Sequence, residues 1–357
     1  MSTTTESVKP AEQPLVMAVP GSAYLSVSPH IKSKDSTAGI MWTVNIALAP
    51  AALLGAFYFG LPGIFVLFLC ISSAVLFEYC YQKMTKRKVT VNDGSAFLTG
   101  LLLAMNLPPT VPFYIPLVGT LVAIVLTKQL FGGLGFNLFN PALLARAFLL
   151  VSFPKILTTW TEPVNDLITK GAIDAVSQAT PLGLLKLEGY DKLIEAFGDK
   201  ANLYGSLLIG NRSGCIGETA IILLLLGGVF LLAKKIITWH TPVAFLGTAA
   251  LMAWIFGAKV HGGAFFAGDP LLHLLSGGMM LGAFFMATDY VTSPMTSKGK
   301  IIFGIGCGFL TMLIRLKGGF PEGVMFSILI MNCFAPMIDR SFKPAVFGAV
   351  KVKGNKS

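Results

Sequence analysis

The sequence predicts an all-α integral membrane protein of about ten transmembrane helices, and three observations carry that expectation. Hydrophobic residues make up 54% of the 357-residue chain and charged residues only 12%, with a mean hydropathy of +0.73, a balance that no water-soluble protein of this length buries. Apolar runs long enough for a bilayer recur along the chain, separated by short polar or Gly/Pro-rich connections. Basic residues then gather in particular connections, on what would be one side of a membrane.

In order, the apolar runs place spans at residues 39–60, 62–81, 94–107, 110–131, 139–154, 214–233, 241–258, 269–288, 300–316 and 321–338. Residues 1–38 read as a cytoplasmic tail, because they lack the basic start and apolar core of a signal peptide. The first five spans form one membrane half, 39–154, and the last five a second, 214–338; between them lies a long segment, 155–213, and after them a basic tail, 339–357. Lys83 to Lys88 follow the second span, Lys234 and Lys235 the sixth, Lys298 and Lys300 the eighth, and Arg340 begins the tail. All fall on one face, so both termini are expected in the cytoplasm and segment 155–213 outside. The same distribution accounts for the net charge of +10 without nucleic acid, which is not an expected partner.

Spans three and five are short and interrupted, one closed by Leu107-Pro108-Pro109, the other opened by Gly132-Gly133-Leu134-Gly135 and Asn140-Pro141. Broken helices at membrane depth usually line a site. Ser95 to Gly100 in span three echo Leu275 to Gly282 in span eight, and Gly132-Gly133 echo Gly318-Gly319. With five spans per half the second half enters from the opposite face, which suggests two inverted five-helix repeats. Cys70, Cys80, Cys215, Cys307 and Cys333 are far apart and lack iron–sulfur or zinc spacing, so no metal site is expected.

Ionisable groups in or beside spans are costly and therefore informative: Glu78, Asp93, Arg146, Glu218, His273 and Asp289 are the candidates for an ion route, although each also lies near a span end from which it can reach the headgroups. In segment 155–213, Asp174-Ala175-Val176-Ser177-Gln178-Ala179-Thr180-Pro181 precedes a periodic apolar stretch. Thr180 is therefore expected at a helix N-cap with Pro181 at the first helical position, where free N–H groups and the helix dipole suit a phosphate esterified to the hydroxyl. By itself the pair is equally an ordinary cap. The glycine-rich run from Lys128 to Asn140 permits close backbone approach to a flat ring, with Asn137 and Asn140 able to donate and accept, or equally a turn followed by capping asparagines.

The Asp-x-x-Ser-x-Ala-Thr stretch resembles the flavinylation motif of the NqrB/RnfD family, which contains the D subunit of the Rnf electron-transport complex and the B subunit of the sodium-pumping NADH:quinone oxidoreductase. The resemblance extends through Asp93 to Gly100, Leu107-Pro108-Pro109, Lys128 to Ala142, Gly217-Glu218, and Leu274 to Thr292, covering nearly all of residues 25–350. Gln178 and the short N-terminal extension are closer to the Rnf member; Tyr290 departs from the Pro that often follows Thr288-Asp289, and the stretch ahead of Thr180 is short.

The resemblance implies a multi-pass component of a prokaryotic inner membrane, acting within a complex that couples ferredoxin oxidation and NAD reduction to Na⁺ or H⁺ transport. It implies covalent FMN on Thr180, with Ser177 and Ala179 in its motif, in a loop on the exterior face. A second, non-covalent riboflavin is implied at Gly132, Gly133, Asn137 and Asn140, with Ser276 and Asp289 as further cofactor contacts. Implied partners are the A, B, C, E and G components of Rnf, a flavin transferase and membrane lipid, with the G component passing electrons on the exterior side and no residue of this chain catalytic alone. Two rival readings remain on the residues alone: a flavin-free solute transporter, which broken inverted halves would suit, and an anchor that only docks redox partners.

Overall fold

A computed structural model describes residues 36–161, 163, 179–210, 212–259 and 263–342; Ser177, the tail before residue 36 and the residues beyond 342 lie outside them. Among the described residues every regular element is helical. Helix α1, Thr37–Met84, runs through both of the first two predicted spans and is broken at Gly60, whose φ of 65° and ψ of −149° are not helical. Only glycine enters that region without strain, and Pro62 restarts the helix where its missing N–H costs nothing. The break falls at the boundary the apolar runs indicate.

Helix α2, Ser95–Met105, starts where the Asp93 carboxylate accepts the Ser95 N–H at 2.8 Å and stops at Asn106. It lies hard against the second arm of α1: a Cβ on Gly100 would come within 2.6 Å of the Cys70 carbonyl. Helix α3, Tyr114–Leu121, passes into a wider π-helical stretch, Val122–Gln129, in which the Thr127 hydroxyl donates to the Val122 carbonyl five residues back. Asn140 caps α4, Pro141–Ser152, and a short turn, α5, Pro154–Leu157, ends the first half. Three small helices follow in the long middle segment: α6, Pro181–Glu188, α7, Tyr190–Phe197, and α8, Lys200–Ile209.

The second half holds α9, Ile221–Ala233, and α10, His240–Phe256. Predicted span eight is not continuous. It comprises α11, Pro270–Leu275, then α12, Met279–Leu281, which runs into a second π-helical stretch, Gly282–Met286. The break at Ser276 to Gly278 is set by Gly277 at φ 66°. Ser276 to Gly278 are therefore a chain break, while Gly282 packs closely against Val324. Helices α13, Ser297–Lys317, and α14, Val324–Ser341, complete the chain. Gly304 and Gly308 of α13 face the Thr241 and Phe245 carbonyls of α10, where added Cβ atoms would stand 2.7 and 2.6 Å away, so these helices approach as membrane helices do.

A helix occupies each of the ten predicted stretches, and α1, α13 and α14 are long and apolar enough to cross a membrane. Leu53 and Phe68 of α1, Leu226 of α9, Val243 of α10, and Phe309 and Leu313 of α13 are exposed. Surfaces this apolar over several helices belong in lipid.

Candidate functional site

Thr180 caps α6 in extended conformation (φ −63°, ψ 156°), with Pro181 at the first helical position and the hydroxyl accepting from the Gly183 N–H at 3.1 Å. Both expectations for that residue hold at the level of local geometry. A Cβ at Gly183 would press on Thr180 Oγ1 at 3.3 Å; glycine there leaves room beside the oxygen for a substituent. Ala179 is exposed and Thr180 buried. Leu182 and Leu185 bury the inner face of α6, and Lys186 donates to the Gly318 and Phe320 carbonyls at 2.5 and 2.8 Å. Burial lowers the Lys186 ammonium from its ordinary value. Farther along, the Tyr190 and Tyr204 hydroxyls both donate to Asp269, which also caps α11. Burial, followed by the bond to Asp269, raises both phenols.

Beneath α6 the chain break of span eight meets an ionic cluster. A Cβ on Gly277 would contact Glu322 Oε1, Leu182 Cδ1 and Arg315 Nη2 at 2.6, 3.0 and 3.1 Å. Arg146 of α4 donates to Glu322 Oε2 at 2.9 Å, to Asn106 Oδ1 at 2.7 Å and to the Cys215 sulfur at 3.4 Å. The Gly278 N–H gives Glu322 Oε1 a bond of 2.6 Å. Arg315 donates to the His273 and Ser276 carbonyls at 2.5 and 3.0 Å, and Arg212 to the Glu218 carbonyl at 2.9 Å.

A second site lies elsewhere in the fold. Asn137, Asn140 and Asp289 line one cavity, together with Ser95, Lys128, Leu134, Phe284, Phe285 and Tyr290. Asn140 is heavily engaged: its oxygen accepts from Ala142 and Leu143 N–H groups at 3.1 and 3.3 Å, and its amide donates to the Met286 carbonyl at 3.4 Å. Asn137 donates to the Phe139 carbonyl at 3.0 Å, and Asp289 accepts from the Thr292 hydroxyl at 3.1 Å. Lys128 at the cavity wall is buried in a 2.6 Å ion pair with Glu78 and donates at 2.6 Å to Ser95, which in turn donates to Asp93.

The predicted residues thus divide between two places. Asn137, Asn140 and Asp289 come together, whereas Gly132 and Gly133, at φ 124° and 99°, build the turn behind them and do not line the cavity. Ser276 is not with that group: it is fully buried at the break under α6, its carbonyl on Arg315. Nor do Glu78, Arg146 and Glu218 reach outward to headgroups; all are inward-facing, Glu78 and Arg146 in ion pairs. Lys128, Arg212, Arg315 and Glu322 are missed by a reading of span ends. Lys128 and Arg315 carried one signal, a cation within an apolar run three or four residues before a Gly-Gly pair in each half.

Residues 24–348 match the model of the NQR2, RnfD, RnfE family. The chain is 50% identical over 324 residues, 91% of its own length and 96% of the relative's, to the D component of the proton-translocating ferredoxin:NAD(+) oxidoreductase complex of Clostridium ljungdahlii. It is 46% identical over 330 residues, 92% and 96% of the two chains, to the D component of the Na(+)-translocating ferredoxin:NAD(+) oxidoreductase complex of Acetobacterium woodii. It is 40% identical over 347 residues, 88% and 93%, to the D component of the ion-translocating oxidoreductase complex of Stutzerimonas stutzeri. With a match across both halves, from ahead of α1 to beyond α14, this chain belongs to the NQR2, RnfD, RnfE family.

Proposed function

We propose that this chain is the D-type membrane component of an ion-translocating ferredoxin:NAD⁺ oxidoreductase of the Rnf type, active only within that complex, and that Thr180 carries FMN through a phosphoester bond. The names of its relatives support the complex, and favour it over the quinone-reducing sister enzyme. The observation that supports the flavin is Thr180 at the N-cap of α6, its oxygen beside a glycine that leaves space around it. A phosphate there would meet backbone N–H groups and the positive end of the helix. When bound, FMN supplies one-electron redox chemistry; the chain's own part is to fix the attachment oxygen, through Lys186 and the Tyr190–Asp269–Tyr204 contacts, over the Gly277 break.

The reading extends to ten spans in two inverted repeats, in a prokaryotic inner membrane, with both termini cytoplasmic and α6 to α8 outside. It is supported by helical structure in each stretch and by paired features of the halves: Lys128 bonded to the Ser95 hydroxyl, and Arg315 to the Ser276 carbonyl. Short α2 and the π-helical end of span eight meet at Asn106 and Met286, so neither broken helix need face lipid alone. The non-covalent riboflavin of this reading is assigned to the apolar slot at Asn137, Asn140 and Asp289, a cavity of about 90 Å³ that would have to widen to take a flavin ring. The A, B, C, E and G components of Rnf and a flavin transferase are the partners of this reading, and Na⁺ and H⁺ both occur among its relatives.

Ultraviolet fluorescence on a denaturing gel, for wild type and Thr180→Val co-expressed with a flavin transferase, tests the attachment. Fluorescence in wild type alone is expected; a dark wild-type band, with the transferase active on a control protein, would remove the flavin and favour a plain transporter.

A further inference from the structure

Lys259, just after α10, and Lys317, in the last turn of α13, depart from the charge pattern of the chain. In the ten-span topology both helices end on the exterior side, where the positive-inside rule disfavours lysine in a short connection. Both lysines border one groove. Gly304 and Gly308 of α13 meet Thr241 and Phe245 of α10; these contacts advance together along both chains, so the helices run parallel. Toward their C-terminal ends a cavity of about 450 Å³ opens between them, lined by Met252 and Phe256 of α10 and by Phe309, Leu313 and Leu316 of α13. Phe265 and the two lysines complete the lining, which holds two cations and no acid. Neither lysine has a carboxylate partner among the described residues. Lys259 Nζ lies 4.8 Å from the centre of the Phe265 ring. The Gly318 and Phe320 carbonyls, which a lysine at a helix C-terminus often meets, are held by Lys186 instead.

We propose that this groove binds one anionic phospholipid, its acyl chains against Phe256, Phe309 and Leu313 and its phosphate at Lys259 and Lys317. Charge selects the headgroup. Two ammonium groups at the end of an apolar groove attract net negative charge, whereas a choline headgroup brings a cation of its own that they repel. Depth selects a lipid over a helix of a neighbouring component. The lining of α13 runs from Phe309 to Lys317, about 12 Å of helix, which stays within one leaflet of a hydrocarbon core about 30 Å thick. A spanning helix would need a groove through both leaflets. Only the choice of leaflet rests on the ten-span reading, and nothing here rests on the flavin. A dark Thr180 band, or a topology refuted by cysteine labelling, would leave the result below unaffected.

Photo-crosslinking tests the site. The assembled complex is reconstituted in phosphatidylcholine vesicles containing a trace of phosphatidylglycerol with a diazirine in one acyl chain, and adducts are mapped by peptide mass spectrometry. Adducts are expected on the lining residues within 252–256 and 309–316, and excess unlabelled phosphatidylglycerol is expected to remove them. Lys259→Gln/Lys317→Gln should lower them about tenfold, and Lys259→Arg/Lys317→Arg should retain them. Leu313→Trp, which fills the groove and keeps both lysines, should lower them as well. Equal labelling by a diazirine phosphatidylcholine, or labelling that the glutamine variant leaves unchanged, would overturn the proposal and make this lipid ordinary bilayer. No adduct in the groove would overturn it too, and would leave this face to a neighbouring component of the complex.

Discussion

At Lys128 and Glu78 the sequence offered two ionisable residues fifty positions apart, and the fold closes them into a buried pair at 2.6 Å with Ser95 as a third member. Removing one partner of such a pair strands a buried charge, at a cost of about 3–5 kcal/mol, whereas replacing both by apolar groups is often close to neutral. Lys128→Met and Glu78→Gln are each expected to lower the thermal unfolding midpoint in detergent, and Lys128→Met/Glu78→Leu to recover most of the loss; additive losses in the double variant would mean that the pair is not coupled. Thr180 differs in kind. Its cap geometry was legible locally, since Thr-Pro ahead of an apolar periodic stretch needs nothing distant to become an N-cap. Ser276 was not legible, because whether it lies with Asn137 or beneath α6, its backbone carbonyl on Arg315, depends on how the chain packs around the Gly277 break.

Among the elements, α6 to α8 bury Leu182, Leu185, Leu193, Leu203 and Leu207, and two phenols on Asp269 add hydrogen bonds to that packing. Because both phenols are raised, the stability that these bonds contribute is complete below the ordinary phenol value of about 10 and is lost only as pH rises through the folded value. Protease resistance of this segment is therefore expected to be constant from about pH 6 to 9 and to fall at any of these values in Tyr204→Phe; a loss of resistance already near neutrality in wild type would contradict that assignment. The α10–α13 pair depends instead on small residues. Gly308→Leu forces a side chain onto the Phe245 carbonyl, and reduced yield of folded protein in detergent is expected, with Gly247→Leu, which meets nothing within 4 Å, as the tolerated control. Neither contact follows from hydropathy: the sequence reads α13 as one apolar run and says nothing of which face meets α10.

For the molecule as a whole, the proposed topology separates Met84, at the end of α1, from Leu187, on α6, by the thickness of the membrane; both are exposed. In a background lacking the exposed Cys80 and Cys333, Leu187→Cys is expected to label from outside intact cells and Met84→Cys only after the membrane is opened. Labelling of both from one side would refute the ten-span arrangement. Local sequence was enough to locate the ten helical stretches, the break between the first two, and the cap at Thr180, since hydrophobicity and capping act over a few neighbouring residues and need no knowledge of the fold. It took the packing of distant segments to put Ser276 beneath α6 and Asn137 with Asp289, and to bring Arg146 to Glu322 across 176 positions of chain. A buried charge must find an opposite charge or a hydrogen bond, but which partner it finds is fixed by how helices far apart in sequence pack.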